Sequence, residues 1–430
     1  MRAALVLALV LVLAAAPGGA ARDGGDADLV REAYRFVREY ALRLPAPQTM
    51  LGRMLSASQL HAADPAVGLP PVLTGEESAD LDAVAAYASA VARSLGPRQG
   101  ETALSAVLRA MIQDLGDPLA AVFVPAQFAA YMEDLRGEHG GIGAQVDAAG
   151  GGTIVSDVTP GGPAARAGIV PGDALLEING RSTAGRTPDT VLDFLHGRPG
   201  STVSLVIQRG GSTLQLSLTR EAVRENPTRS SLLEPRIGYV RLLEFSERSA
   251  RDVGRALAAL QEQGAAAIVL DLRQNTGGLV EESVGVASYF LSDGAVAKEE
   301  SRDGAVELPV QAVQRFAGPV VVLVDFFTAS AGEIVAGALQ DAGAPLVGTK
   351  TFGKATVQSV SIPPLPRGWG IRVTTARYYT RGGRMIEGAG LVPTVVLPMS
   401  FASIQSPRDA QLQEAREQAR RRLAARAGRR

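Results

Sequence analysis

Apolar residues recur at helical intervals through the first third of the chain. Leu29, Ala33, Phe36 and Tyr40 share one face, as do Leu104, Leu108, Met111 and Leu115, which predicts helices across residues 28–131. A Pro-containing stretch at 64–74 divides them, and Thr74-Gly75-Glu76-Glu77 reads as a cap opening the next helix. At Gly137 the pattern shortens to β-rich runs broken by Gly and Pro, at 152–158, 174–178, 202–208 and 213–219, with a short helix over 187–195. Residues 226–236 read as a linker. Beyond them strands at 237–242, 267–272 and 320–324 alternate with helices at 250–261, after Gly278 and at 333–342, which predicts an α/β core.

The expected organisation is a multidomain α/β protein: a leader at 1–21, a helical region at 22–136, a β-rich domain at 137–222, a core at 230–400 and a basic helical tail at 401–430. The leader follows from Arg2, the apolar run at 3–16 and the small residues Pro17-Gly18-Gly19-Ala20-Ala21. That run is short for a membrane span, so export with cleavage near Ala20 or Ala21 is expected, and a retained anchor is the alternative. From Pro407 onward the tail holds eight Arg against three acidic residues, which suits a solvated terminus or self-association into a homo-oligomer. With 46% apolar and 20% charged residues there is material for two or three cores, and the net charge of −1 gives no reason to invoke nucleic acid. The chain has no Cys, hence neither disulfides nor a lipid-bearing thiol.

Chemistry concentrates late in the chain. Of 43 basic residues only Lys298, Lys350 and Lys354 are lysines, and Arg cannot act as a base. The three His, His61, His139 and His196, all precede Ser330 by more than a hundred residues. Ser330-Ala331-Gly332-Glu333 fits a capping box, which by itself explains the serine. Yet Ser330 also lies where an apolar strand meets a helix, beside amides suited to an oxyanion. A strand at 353–360 would put Lys354, Thr356 and Gln358 on one face, with Lys354 reaching the hydroxyl and Gln358 orienting the amine. A lysine acting as base near neutrality must lose about three pKa units, and Phe326, Phe327, Phe352 and Val357 could desolvate it. In Asp271-Leu272-Arg273-Gln274-Asn275-Thr276-Gly277-Gly278 the glycines can present an unobstructed N–H, so the amides of Gly277 and Ala331 form a candidate oxyanion hole. A plain turn, a plain cap and a surface lysine are the competing readings of these three segments.

Two resemblances join these pieces. Gly141-Ile142-Gly143-Ala144, the run Ala164-Ala165-Arg166-Ala167-Gly168-Ile169-Val170-Pro171-Gly172-Asp173 and Ile178-Asn179-Gly180 resemble a circularly permuted bacterial PDZ domain. Such a domain docks a C-terminal carboxylate on its Gly141–Ala144 amides and adds the peptide as a strand. His196 stands where bacterial relatives often carry an Arg that couples ligand binding to activity. The chemical segments, with Ile237-Gly238-Tyr239-Val240, Ala338-Leu339-Gln340-Asp341 and Arg377-Tyr378-Tyr379-Thr380, resemble the carboxyl-terminal processing peptidases, or tail-specific proteases, over residues 103–398. The resemblance implies a crotonase-like ββα core. It also implies Ser330 as nucleophile, Lys354 as general base, Gln358 as its orienting partner, and unstructured protein tails as substrates. No metal or organic cofactor is implied, and relatives differ in whether an adaptor activates them. Ala355, Gly332 and Thr394 depart from residues usual in the family, and the Ser330–Lys354 interval is about one residue short; no required functional group is missing. A PDZ scaffold that binds without turnover is the rival reading.

Overall fold

The computed structural model describes residues 10–15, 25–62, 64–136, 138–149, 152–159, 161–186, 188–224, 227–398 and 409–428. Four helices, Asp26–Tyr40, Pro47–His61, Glu77–Ser94 and Gly96–Gln113, form the helical region. Their apolar faces close on Leu29, Val37, Met50, Met54, Val84, Leu108 and Met111. The same cluster runs on into Trp369, Ile371 and Val373, so the helices are packed against a strand of the α/β core rather than tethered beside it. Thr74 does not cap the third helix. Instead, Asp80 inside that helix accepts from the Thr74 N–H (2.7 Å), the Thr74 hydroxyl (2.9 Å) and the Gly75 N–H (2.9 Å). A carboxylate takes three donors where a hydroxyl takes one, so it wins the turn.

The β-rich domain is a sheet of Ala144–Ala149, Gly152–Val158, Ala174–Ile178, Thr202–Arg209 and Ser212–Thr219 in that order, closed by the helix Pro188–Leu195. Its core holds Ile142, Val146, Val155, Ile178, Val191 and Ile207.

In the α/β core, one sheet runs Thr228–Glu234, Ile237–Leu242, Ala267–Asp271, Val320–Val324, Leu346–Gly348, Val395–Val396. The strands after the first are parallel, and the central ones are buried at every position, as their unbroken apolar runs require. The expected linker at 226–236 is in fact its antiparallel edge strand, Thr228 opposite Leu242. Half of that strand faces water, and its Thr-Arg-Ser-Ser run carries no apolar period to betray it. A second sheet contains Gly278–Leu279, Val10–Ala15, Thr356–Ile362, Gly370–Thr380, Ala295–Ser301 and Gly304–Pro309. The helices Ser249–Glu262, Val280–Ser288 and Ala331–Asp341 contribute to the apolar core between the sheets.

The C-terminal helix Ala410–Ala427 is not a solvated tail. Ala415 and Ala419 are fully buried, and with Leu412 and Leu423 they cover the outer face of the parallel sheet at Tyr239, Val269, Val321 and Leu323. Glu234 on the edge strand receives Arg416 (2.8 Å) and Arg420 (2.7 Å). The arginines that read as a basic tail serve in part to pin the helix to its own core. Of the expected leader, Val10–Ala15 is a strand, while residues 1–9 and 16–24 lie outside the described residues. No helix among the described residues is long and apolar enough to cross a membrane.

Candidate active site

The strand Val320–Val324 ends in a turn that two side chains hold rigid. Asp325 Oδ1 accepts from the amides of Gln274 (3.0 Å), Phe327 (2.9 Å) and Thr328 (3.0 Å), and the Thr328 hydroxyl donates to the Leu272 carbonyl at 2.8 Å. Ser330 follows at φ 59°, ψ −121°, a conformation that side-chain-bearing residues rarely adopt and that costs on the order of 1–3 kcal/mol. The surrounding bonds hold it there, on a sharp strand-to-helix turn with the helix Ala331–Asp341 beginning at the next residue. Ala331 is therefore the first helical residue, and its amide has no acceptor within the helix.

Glu333, read from the sequence as a cap residue, does more than cap. Its Oε2 accepts from the Ser330 N–H (3.0 Å) and the Lys354 N–H (2.9 Å), and its Oε1 from the Thr351 hydroxyl (2.5 Å) and the Gly353 N–H (2.8 Å). One buried carboxylate thus ties the two candidate catalytic segments together. Burial pushes its carboxyl pKa up, outweighing the hydrogen bonds that pull it down. Tyr378 adds a second tie, its hydroxyl lying 2.7 Å from the Lys354 carbonyl and 3.1 Å from that of Ser330. Its only sequence signal was its place in the Arg377–Thr380 segment.

Lys354 lies just before the strand Thr356–Ile362, not within it as the alternation had suggested. The backbone crosses tightly at Gly353 (φ 92°), where a Cβ would stand 2.7 Å from the Gly390 nitrogen. From there the amine reaches Gln358 Oε1 at 2.6 Å, the Thr356 carbonyl at 3.1 Å and Ser330 Oγ at 3.5 Å. Only 4% of Lys354 is exposed. Its pKa falls from 10.5 to about 7, chiefly through burial and with help from Arg372, against the opposing pull of Glu387, Glu333 and Asp117.

The Asn275–Gly278 turn departs from expectation at one atom. Gly277 packs directly on the serine: a Cβ there would lie 2.7 Å from Ser330 Cβ. Its N–H, however, donates to Asn275 Oδ1 at 2.9 Å, closing a side-chain turn that engages the expected oxyanion donor. Gly278 pairs with Phe245 through its neighbours' atoms, the Gly277 carbonyl (2.9 Å) and the Leu279 N–H (2.7 Å). In a parallel ladder this turns the N–H and carbonyl of Gly278 itself to the opposite side. That side faces a seam between Gly278–Leu279 and Thr356–Ile362, where Val10–Ala15 runs parallel to both, Val10 opposite Gly278 and Leu11 opposite Gln358.

Behind the turn, Arg273 is completely buried between two carboxylates. It donates to Asp271 (2.6 Å) and, from the head of the C-terminal helix, to both oxygens of Asp409 (3.0 and 2.9 Å).

The β-rich domain's Gly141, Ile142, Gly143 and Ala144 are all buried. The Ile142 carbonyl accepts from Ala164 and the Gly143 carbonyl from Thr159, both at 2.8 Å, while Gly141 pairs with Glu221 in a two-stranded ribbon. A separate cavity of about 650 Å³ lies between this domain and the core edge, lined by Gln145, Asp157, Ser230, Tyr239 and Leu412 among others and by none of the groups around Ser330.

Residues 236–397 match the peptidase family S41 model, and 154–209 match a PDZ domain. The carboxyl-terminal-processing protease of Synechocystis sp. is 36% identical over 318 residues, covering 71% of this chain and 74% of that protein. The chain belongs to the carboxyl-terminal processing proteases. Carboxy-terminal processing protease CtpA of Bacillus subtilis is 32% identical over 292 residues, and the match spans 62% of its length. Among solved structures, the photosystem II D1 C-terminal processing protease aligns over 90% of this chain and 97% of its own, with 27% identity and a TM-score of 0.50. The chain therefore has the helical region, PDZ domain and mixed α/β S41-family core read from its sequence.

Proposed function

We infer that the protein is an exported serine endopeptidase, with Ser330 as nucleophile and Lys354 as general base, acting on the unstructured C-terminal tails of other proteins. The observation that carries this reading is the buried Lys354 amine, 3.5 Å from Ser330 Oγ and with a pKa near 7. A lysine at that pKa is about half neutral at physiological pH and still basic enough to take a hydroxyl proton. Lys354 Nζ removes the Ser330 proton as Oγ attacks the scissile carbonyl, and the developing oxyanion meets the Ala331 amide at the helix N-terminus. The second donor is the Gly277 amide, packed against Ser330, which exchanges its bond to Asn275 Oδ1 for the oxyanion. The Lys354 ammonium then gives its proton to the departing amine, and a water deprotonated by Lys354 releases the acyl group.

The path of Val10–Ala15 supports entry of an extended peptide as an added strand in the seam beside Gln358. The PDZ domain would capture tails, with the Gly141–Ala144 amides as the expected carboxylate donors and an adaptor protein as a further partner. The apolar stripe of the C-terminal helix is already covered by its own sheet, so self-association through that helix would use its exposed arginines instead.

The test is intact-mass analysis of an unfolded, tailed protein incubated with wild type and with Ser330→Ala. Cleavage by wild type alone is expected. Equal cleavage by Ser330→Ala would sink the assignment of the nucleophile.

A further inference from the structure

A neutral lysine amine has two N–H bonds and one lone pair. Around Lys354 Nζ, the Thr356 carbonyl and Gln358 Oε1 are both acceptors, and the third neighbour is the Ser330 hydroxyl. If the two oxygens take the two N–H bonds, tetrahedral geometry leaves the lone pair facing Ser330. The arrangement works only when Gln358 presents its oxygen and not its NH₂ to the lysine. A glutamine side chain has no preference of its own, so its partners at both ends set it: the lysine N–H calls for the oxygen, and the far end must offer the NH₂ an acceptor.

At that far end Gln358 Nε2 donates to Thr374 Oγ1 at 3.1 Å. Thr374 stands opposite Gln358 because of a bulge: pairing jumps from Val357 with Ala376 to Gln358 with Thr374. The extra residue, Thr375, is tied off by its own hydroxyl, 3.0 Å from that of Ser359. Bulges beside reaction centres commonly re-aim a side chain in this way. The helical region then holds the Thr374 backbone from both sides. Asp117 Oδ2 accepts its N–H at 2.7 Å, and the Leu42 N–H donates to its carbonyl at 2.8 Å.

We propose that Thr374 is a positioning residue, which sets the orientation of the Gln358 amide and thereby aims the Lys354 lone pair at Ser330. The N-terminal helical region takes part in catalysis by holding Thr374 in place. The proposal rests on the Ser330–Lys354 reading.

Thr374→Val keeps the shape of the side chain and removes the acceptor. On an unstructured peptide, kcat falls about 10- to 100-fold, a part of what a general base supplies, while KM stays within about twofold. The acid limb of the pH profile moves to lower pH, because a misaimed amide no longer offers the ammonium its oxygen. The charged groups that act on the amine, Glu387, Arg372, Glu333 and Asp117, are unchanged by this substitution. Thr374→Ser restores both kcat and the limb. In a Gln358→Ala background Thr374→Val causes no further loss, since its effect passes through Gln358. A wild-type kcat and limb in Thr374→Val would overturn the proposal. So would the same fall in the Gln358→Ala background, which would mark a general disturbance of the strand. Cleavage that survives Ser330→Ala would instead remove the dyad reading beneath it, so the two failures are distinguishable.

Discussion

Replacing Lys354 by Met should abolish turnover and yet stabilise the protein in mild acid. Burial lowers the Lys354 pKa from 10.5 to about 7, a difference of about 5 kcal/mol between the two protonation states. The folded chain holds this proton less tightly than the unfolded chain does. The stability linked to Lys354 is therefore complete above about pH 10.5 and is lost as the pH falls to about 7. At pH 6 wild type carries nearly the whole penalty, about 5 kcal/mol, and at pH 9.5 only about 1.5 kcal/mol. Methionine carries none at either pH. It forfeits three hydrogen bonds, at roughly 1 kcal/mol each, equally at both. The net change is about +2 kcal/mol at pH 6 and about −1.5 kcal/mol at pH 9.5, an inversion of sign. Trp369, the single tryptophan and fully buried where the helical region meets the core, reports urea unfolding by fluorescence. The midpoint of Lys354→Met should lie above wild type at pH 6 and below it at pH 9.5. Groups away from the amine titrate alike in both proteins, so the double difference isolates Lys354 together with the carboxylates coupled to it, Glu387, Glu333 and Asp117. An equal gap at both pH values would refute the reasoning, because the amine would then keep its ordinary proton and could not serve as a base. The same pKa places the acid limb of wild-type kcat/KM near pH 7, with activity present above it and lost below.

Gly277→Ala forces a Cβ to 2.7 Å from Ser330 Cβ at φ 110°, and kcat measured on a peptide should fall at least about 100-fold; activity within threefold of wild type would show that the turn gives way easily. Asp409→Ala leaves the buried Arg273 with Asp271 as its one carboxylate and Gln411 as a neutral acceptor, and should cost about 3 kcal/mol in urea unfolding. An unchanged midpoint would mean that water replaces the carboxylate. A chain starting at Arg22 lacks the strand that lies in the seam, and its KM for an extended peptide should be lower than that of the full chain; equal values would mean that Val10–Ala15 does not compete with substrate.

Much of the architecture was legible because it is encoded in local periodicity. The helical spacing of Leu29, Ala33 and Phe36 gave the helix Asp26–Tyr40, and the unbroken apolar runs gave the buried parallel strands. The candidate dyad was legible for a different reason. A chain with three lysines and no histidine near Ser330 leaves few groups able to take a proton, so elimination reached Lys354.

What the sequence could not supply is everything that depends on atoms brought from far along the chain. The edge strand Thr228–Glu234 lacks a pattern because solvent covers much of it, and only its neighbour Ile237–Leu242 specifies it. The C-terminal helix reads as polar because just two alanines need be fully buried for it to lie against the sheet. Glu333 looks like any cap residue until Thr351, Gly353 and Lys354 arrive from the next loop to share its oxygens. Gly277 reads from the sequence as a free oxyanion donor, and only the fold shows its N–H donating to Asn275 Oδ1. Which residue can do chemistry was decided by the kinds of side chain present. The burial that lowers the Lys354 pKa and the bond from Gln358 to Thr374 exist only in the tertiary structure, and a linear pattern carries neither.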